Sequence, residues 1–154
     1  MDWVARLSLE PHPEGGYFRR IYTAPGTLAT PQGERAVASS IHYLLDRASP
    51  VGRFHRNRST ILHYLQHGGP VDYWLLDEQG AHQLTLGFEP GQSLFLEVPG
   101  GVWKASALQA HADHALVSEV VLPGFDYADH EFLSLARLQS DYPEHAARLA
   151  AWVR

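Results

Sequence analysis

Residues 71–101 read Val71-Asp-Tyr-Trp-Leu-Leu76, Asp77-Glu-Gln-Gly80, His82-Gln-Leu-Thr-Leu-Gly87, Glu89-Pro-Gly91, Ser93-Leu-Phe-Leu-Glu-Val98 and Pro99-Gly100-Gly101. Each apolar run is short and is stopped by Asp, Gly or Pro, the punctuation of strands joined by turns. The pattern extends both ways. Upstream lie Val37-Ala-Ser-Ser-Ile-His-Tyr-Leu-Leu45, followed by Asp46 to Pro50, and Ser59-Thr-Ile-Leu-His-Tyr-Leu65, followed by Gly68-Gly69-Pro70. Downstream lie Val102-Trp-Lys-Ala-Ser-Ala-Leu108 and Ala115-Leu-Val-Ser-Glu-Val-Val-Leu122, the latter closed by Pro123-Gly124. At least seven strands at spacings of roughly ten residues predict an all-β antiparallel sandwich or barrel. No long helical period separates them, which excludes a parallel doubly wound sheet. Helices are expected only at the end, one capped by Ser134 and one opened by Pro143. The chain thus reads as a jelly-roll unit over residues 1–133 with a helical tail over 134–154 packed on the same domain.

The 154 residues carry 12 Lys and Arg against 17 Asp and Glu, a net charge of −5 with neutral histidines. That sign argues against a nucleic-acid platform, whose affinity comes mainly from neutralising phosphates. Were all ten histidines protonated the net charge would be about +5, so the chain is expected to pass through neutrality below about pH 6.5. Cysteine is absent, which excludes disulfides, thiolate metal sites and cysteine nucleophiles and fits a reducing, cytoplasmic setting. No apolar run approaches the roughly 18 residues of a membrane span, and no basic stretch precedes an apolar one at the N-terminus. Neither a membrane nor a nucleic acid is an expected partner.

Two segments carry the chemistry: Phe54-His55-Arg56-Asn57-Arg58-Ser59-Thr60-Ile61, running through His63 to Gly68, and Gly91 to Gly101 with the residues that follow. Alternate residues of a strand share a face, so a His-x-His step aims two ligands the same way. The segments resemble the paired motifs of the cupin superfamily. His55, Asn57, Ile61 and Gly68 fall on the spacing of its His-x-His…Glu…Gly motif; Pro99, Gly101, Lys104 and Leu108 fall on that of its Pro-x-Gly…His…Asn motif. Of the four ligand slots only His55 keeps a ligand type. Pro11-His-Pro-Glu-Gly-Gly-Tyr-Phe18, Ser39 to Leu45, Phe54-His-Arg56, His63-Tyr64, Pro99-Gly-Gly-Val-Trp103 and Pro123-Gly-Phe-Asp-Tyr-Ala-Asp-His-Glu131 are similar, more specifically, to cupin family 5, the domain-of-unknown-function 985 group, from about Leu7 to Phe132. The resemblance implies an RmlC-like double-stranded β-helix, usually a homodimer, with a small-molecule pocket in its mouth. It implies no agreed reaction. Relatives commonly carry an acidic pair where Thr60 and Ile61 stand.

His55 and His63 share a strand face if the chain stays extended between them. Facing inward, they suit acid–base work near neutrality; the alternative is that they are hydrogen-bonded interior histidines. Lys104 repels a divalent cation, Ile61 offers no donor and Asn57 is a weak ligand, so neither a metal nor any other cofactor is expected. A lysine there suits an anionic ligand unless it points outward. His63, His55 and Lys104 are therefore the candidate catalytic residues. The candidate ligand contacts are Glu14 and Tyr17, by analogy, with Ser40, Arg53 of the Arg53–Arg56–Arg58 cluster, Asn57, Trp103 and Phe125. Glu97 and Glu119 are expected to face solvent or to meet an arginine across a subunit interface. His42, His67, His82, His111, His114 and His145 are assigned no role. A Ser-His-Asp hydrolase lacks its Gly-x-Ser-x-Gly elbow.

The functional expectation is a cupin-type protein that binds a small polar, anionic molecule, sugar- or carboxylate-like, as a metal-independent isomerase or epimerase. Two alternatives stay open: a non-catalytic binding or sensor module, and a metal-dependent enzyme using His55 and His63 with borrowed ligands.

Overall fold

The computed structural model describes residues 1–153, so Arg154, the last residue of the expected tail, lies outside the described residues. Helix α1 (Trp3–Leu7) precedes strands β1 (Glu10–Pro11), β2 (Tyr17–Thr23), β3 (Thr27–Thr30), β4 (Gly33–Ala36), β5 (Ser39–Asp46), β6 (Val51–Asn57) and β7 (Thr60–Gly68). Then follow β8 (Val71–Asp77), β9 (Gly80–Leu86), β10 (Phe95–Val98), β11 (Trp103–Leu108), β12 (His114–Leu122) and β13 (His130–Phe132). Helices α2 (Leu135–Asp141) and α3 (Pro143–Leu149) end the chain, with single 3-10 turns at Tyr127–Asp129 and Ala150–Trp152.

A six-stranded sheet in the order β1-β2-β5-β12-β7-β10 faces a five-stranded sheet in the order β13-β6-β11-β8-β9, and β3 and β4 form a separate hairpin. The pairs within these sheets are antiparallel. The all-β jelly roll with a helical C-terminus is what the punctuated runs predict. The two sheets pack face to face rather than closing into one continuous barrel.

Between them lies the main core, with Tyr43, Leu45, Leu65, Leu96 and Val117 from the larger sheet and Val71, Tyr73 and Leu108 from the smaller. A second core fills the outer side of the smaller sheet, where Phe54, Trp74, Leu76, Trp103 and Ala105 meet Leu133, Leu138 and Leu149. The helical tail is thus the cover for that face. Ser134 caps α2 by accepting from the Arg137 amide, and Pro143 opens α3, as expected from these residue types. Helix α1, which the sequence did not signal, covers the outer side of the larger sheet at Leu44 and Leu116. Its five residues are too few for a periodic pattern to emerge.

One junction governs the site. The sequence reading let His55 and His63 share one extended strand; instead the chain turns at Arg58–Ser59 and changes sheets, β6 belonging to the smaller and β7 to the larger. The two histidines still both face inward, but from different walls.

Candidate functional site

Glu14 enters the interior through two glycines. Gly15 and Gly16 take φ values of +107° and +73°, and a Cβ on Gly15 would stand 2.0 Å from the Val51 carbonyl oxygen. Only glycine lets this segment lie so close to β6, where the Arg53 amide donates to the Glu14 carbonyl at 2.7 Å. The Glu14 side chain is buried and directs Oε2 at three imidazoles: His55 Nε2 at 2.8 Å, His12 Nδ1 at 3.7 Å and His130 Nε2 at 3.9 Å. Burial pushes the Glu14 carboxyl up, but the adjacent His55 and His12 outweigh it and hold the group well below the carboxylate range. Glu14 is therefore ionised.

His55 Nδ1 lies 2.8 Å from the Arg53 carbonyl oxygen, which makes that nitrogen a donor. Its ring stacks on His130 with centroids 5.2 Å apart and planes 19° from parallel. His130 reaches this place because β13 pairs with β6, setting His130 opposite Asn57. Two polar atoms here are buried and have no hydrogen-bond partner among the described residues, His130 Nε2 and Asn57 Oδ1.

These groups form one side of a cavity of about 270 Å³. Glu10, His12, Glu14, His55, Asn57, Glu119 and His130 supply polar lining, with Arg20. Phe18, Ile41, Ile61, Val121, Phe125 and Tyr127 supply the rest. Arg20 is exposed, and its Nη2 donates to the Phe125 carbonyl oxygen at 3.2 Å.

Behind Glu119 lies a second polar cluster. Lys104 Nζ donates to His63 Nε2 at 2.7 Å and to Glu119 Oε1 at 3.4 Å, and His63 Nδ1 donates to the Leu96 carbonyl oxygen at 3.1 Å. His63 is fully enclosed. Burial and then the Lys104 charge press its pKa well below the usual histidine value, so the ring is neutral with its Nε2 lone pair occupied by the lysine.

The expected site residues therefore separate. Glu14, His55, Asn57 and Phe125 line the cavity together. His63 and Lys104 are brought together and both face inward, but stand behind Glu119 and do not line it. Tyr17 packs with α1 on the outer side of the larger sheet, because strand alternation gives the inward place to Phe18. Ser40 follows the same alternation, its neighbour Ile41 lining the cavity, and its hydroxyl donates to the Glu119 carbonyl. Arg53 is exposed and contributes only backbone groups. Trp103 lies in the second core on the face opposite Lys104, with the Arg56 and Arg137 guanidinium groups 4.3 and 5.3 Å from its ring centroid.

Among the cavity residues that the sequence reading did not propose are three that carry its chemistry, Glu119, His12 and His130. Glu119 is buried against Lys104 rather than facing solvent, whereas Glu97 is exposed. Strand β12 is apolar on both sides of Glu119, so alternation gave no direction. His12 and His130 were assigned no role; only the pairing of β13 with β6 and the turn after His12 bring them in. His12 lies within the opening segment that carries the family resemblance, which is the one sequence signal for it.

The family described as the cupin superfamily (DUF985) matches this sequence over residues 1–133. The Saccharomyces cerevisiae protein YML079W is 36% identical over 169 aligned positions, covering 97% of this chain and 81% of the yeast protein. A solved Leishmania major structure superposes with a TM-score of 0.91 at 29% identity, covering 98% of this chain and 96% of that one. Protein SO0799 from Shewanella oneidensis superposes with a TM-score of 0.89, also at 29% identity, covering 99% and 96% respectively.

Proposed function

The chain belongs to the DUF985 family of the cupin superfamily, and from that membership and the cavity's lining we propose that it binds a small hydroxyl-bearing, sugar-like molecule and exchanges a proton with it. The observation that carries this reading is the lining itself. Its inner polar groups include the ionised Glu14, Glu119 and the unpartnered Asn57 Oδ1, all of them acceptors. A ligand that answers them offers hydroxyl hydrogens rather than a negative charge. Lys104, the residue that suggested an anion, already faces Glu119 and His63 and does not line the cavity. Phe18, Phe125 and Tyr127 suit the apolar face of a ring.

Glu119 is the proposed proton carrier. It would take a proton from a carbon beside a carbonyl, leaving the electron pair as an enediolate, and return the proton either to the opposite face of the same carbon or to the former carbonyl carbon, in the latter case with the hydroxyl proton passing to the former carbonyl oxygen. This is the step of an isomerase or epimerase. Lys104 and His63 are then positioning residues that hold the carboxylate in place. We further take the chain to act as a homodimer, through the uncovered face of its larger sheet, in the reducing cytoplasm that a cysteine-free sequence suits.

Thermal-shift screening of neutral monosaccharides and polyols against sugar acids tests the binding. Deuterium incorporation from D₂O, followed by NMR, tests the exchange. Neutral members should stabilise the protein more than acids, and Glu119→Gln should still bind while losing exchange by about 100-fold or more. If no hydroxylated compound stabilises the protein, or exchange survives Glu119→Gln, the reading is wrong. Stabilisation with no exchange in the parent protein would leave a binding module.

A further inference from the structure

We infer that Glu14, His55 and His130 form a binding site for a divalent transition-metal ion on the cavity wall. The ligand atoms of the three side chains lie within 4.8 Å of one another. Two imidazoles and one carboxylate are a donor set suited to iron, manganese, cobalt or zinc in the divalent state, and three protein ligands leave positions open toward the cavity. The inference goes beyond the reading above and stands on the wall's own chemistry. Only what the ion would do, hold two neighbouring oxygens of the bound molecule, rests on that reading.

His55 supplies the first argument. Its Nδ1–H is committed to the Arg53 carbonyl at 2.8 Å, so the lone pair of a neutral ring sits on Nε2, 2.8 Å from the Glu14 carboxylate. A lone pair aimed at an anion repels it unless a proton or a cation lies between. The backbone-oriented Nδ1–H is also the usual support of a metal-binding imidazole, since it fixes both ring angle and tautomer.

His130 supplies the second. Its side chain is 6% exposed and 3.9 Å from Glu14 Oε2, and its Nε2 is buried without any hydrogen-bond partner. An orphaned buried nitrogen is costly to desolvate, a penalty that an ion bound there would remove. Asn57 Oδ1, also buried and unpartnered, stands opposite His130 in the strand pairing. It could hydrogen-bond a water on the ion. The separations of 2.8 and 3.9 Å bracket the ~3 Å between adjacent donors around an ion with bonds near 2.1 Å, so small side-chain shifts suffice.

The site is distinct from the ligand slots of the cupin motifs, which hold Asn57, Ile61 and Lys104 besides His55 in this chain. Glu14 comes from the segment before β2 and His130 from the edge strand β13, so a metal centre can persist after those slots have lost their donors.

Untagged protein washed with EDTA, then titrated with Mn²⁺, Co²⁺ or Zn²⁺ alone in a calorimeter, tests the inference. Saturable binding near one ion per chain is expected, and a cobalt visible spectrum would report nitrogen and oxygen ligation. Glu14→Gln and His130→Ala should each weaken binding by about tenfold or more, with folding checked by thermal melt. Glu14→Gln preserves side-chain shape, so it remains a valid probe if His130→Ala fails to fold. His114→Ala, at the other close histidine pair, where His67 Nδ1 lies 2.8 Å from His114 Nε2, should leave binding unchanged. No saturable binding up to 1 mM metal (on the order of the weakest specific sites), or binding that survives Glu14→Gln and is lost in His114→Ala, overturns the inference. Metal binding without any hydroxylated ligand would sink only the proposed function; ligand binding without metal binding would sink only this site.

Discussion

His63 shows how one buried side chain sets the protein's response to acid. Its ring is enclosed by Tyr73, Lys104 and Glu119 and by the Leu96 carbonyl. Burial, and next the Lys104 charge, lower its folded-state pKa far below the ordinary 6.5. The unfolded chain therefore binds a proton near pH 6.5 that the folded chain refuses. The stability this group contributes is complete above pH 6.5 and is lost as pH falls toward the folded value, with a slope of at most about 1.4 kcal/mol per pH unit. Glu14, lowered in the folded state, adds its own loss only below its ordinary 4.5. The thermal midpoint should thus be flat from pH 8 to 7 and decline between pH 6.5 and 5, with His63→Gln reducing the slope. An unchanged midpoint across that interval would contradict the account of His63. The sequence made His55 and His63 visible through the family resemblance and the even separation between them, with their roles left open. Nothing in their residue types distinguished a ring opening on a cavity from one capped by a lysine, because that difference depends on which wall each occupies.

At the scale of elements, legibility followed residue type rather than burial, since β6 is more buried than β9. Strands β5, β7, β8, β9, β10, β11 and β12 were readable because each is an apolar run ended by glycine, proline or a polar turn. Strand β6 carries Arg53, His55 and Arg56 and lacks that character, and β13 has three residues, so the pairing that delivers His130 to His55 was invisible. Where apolar residues stand on both faces of a strand, as along β11 and β12, alternation disappears from the sequence, and with it the direction of Glu119 and Trp103. The element that most directly positions the site is the Gly15–Gly16 turn. Gly15→Ala places a Cβ against a backbone oxygen 2.0 Å away at a φ of +107°. Relief requires the segment to part from β6, costing about 2–3 kcal/mol and moving Glu14. Gly91→Ala is the matched control, because its φ is +84° and nothing stands within 4 Å of the added atom; it should cost about 1 kcal/mol. Urea unfolding compares the two. Equal costs would show that close approach at Gly15 is not what anchors Glu14.

The whole molecule distributes its cover unevenly. Helices α2 and α3 bury the outer side of the five-stranded sheet, and α1 covers one end of the six-stranded sheet. The other end keeps Tyr64, Phe95 and Leu122 between 39% and 44% exposed. Tyr64 and Phe95 are direct cross-strand neighbours, with ring centroids 5.3 Å apart. A contiguous aromatic patch on a sheet face marks an association surface more often than an incidental exposure, and a second copy of the chain would bury it through a self-complementary two-fold contact. Light scattering during gel filtration at tens of micromolar should therefore give about twice the 17.2 kDa chain mass. Tyr64→Lys places a positive charge on that face and, in a two-fold contact, brings two copies of the charge close together. It should shift the population toward monomer while leaving the cavity intact, since Tyr64 does not line it. A parent protein that elutes at the single-chain mass would refute the interface, and a Tyr64→Lys variant that remains dimeric would move it to another face. In the expected case the metal and ligand affinities of the monomeric variant should match those of the parent, because the groups named for each come from one chain.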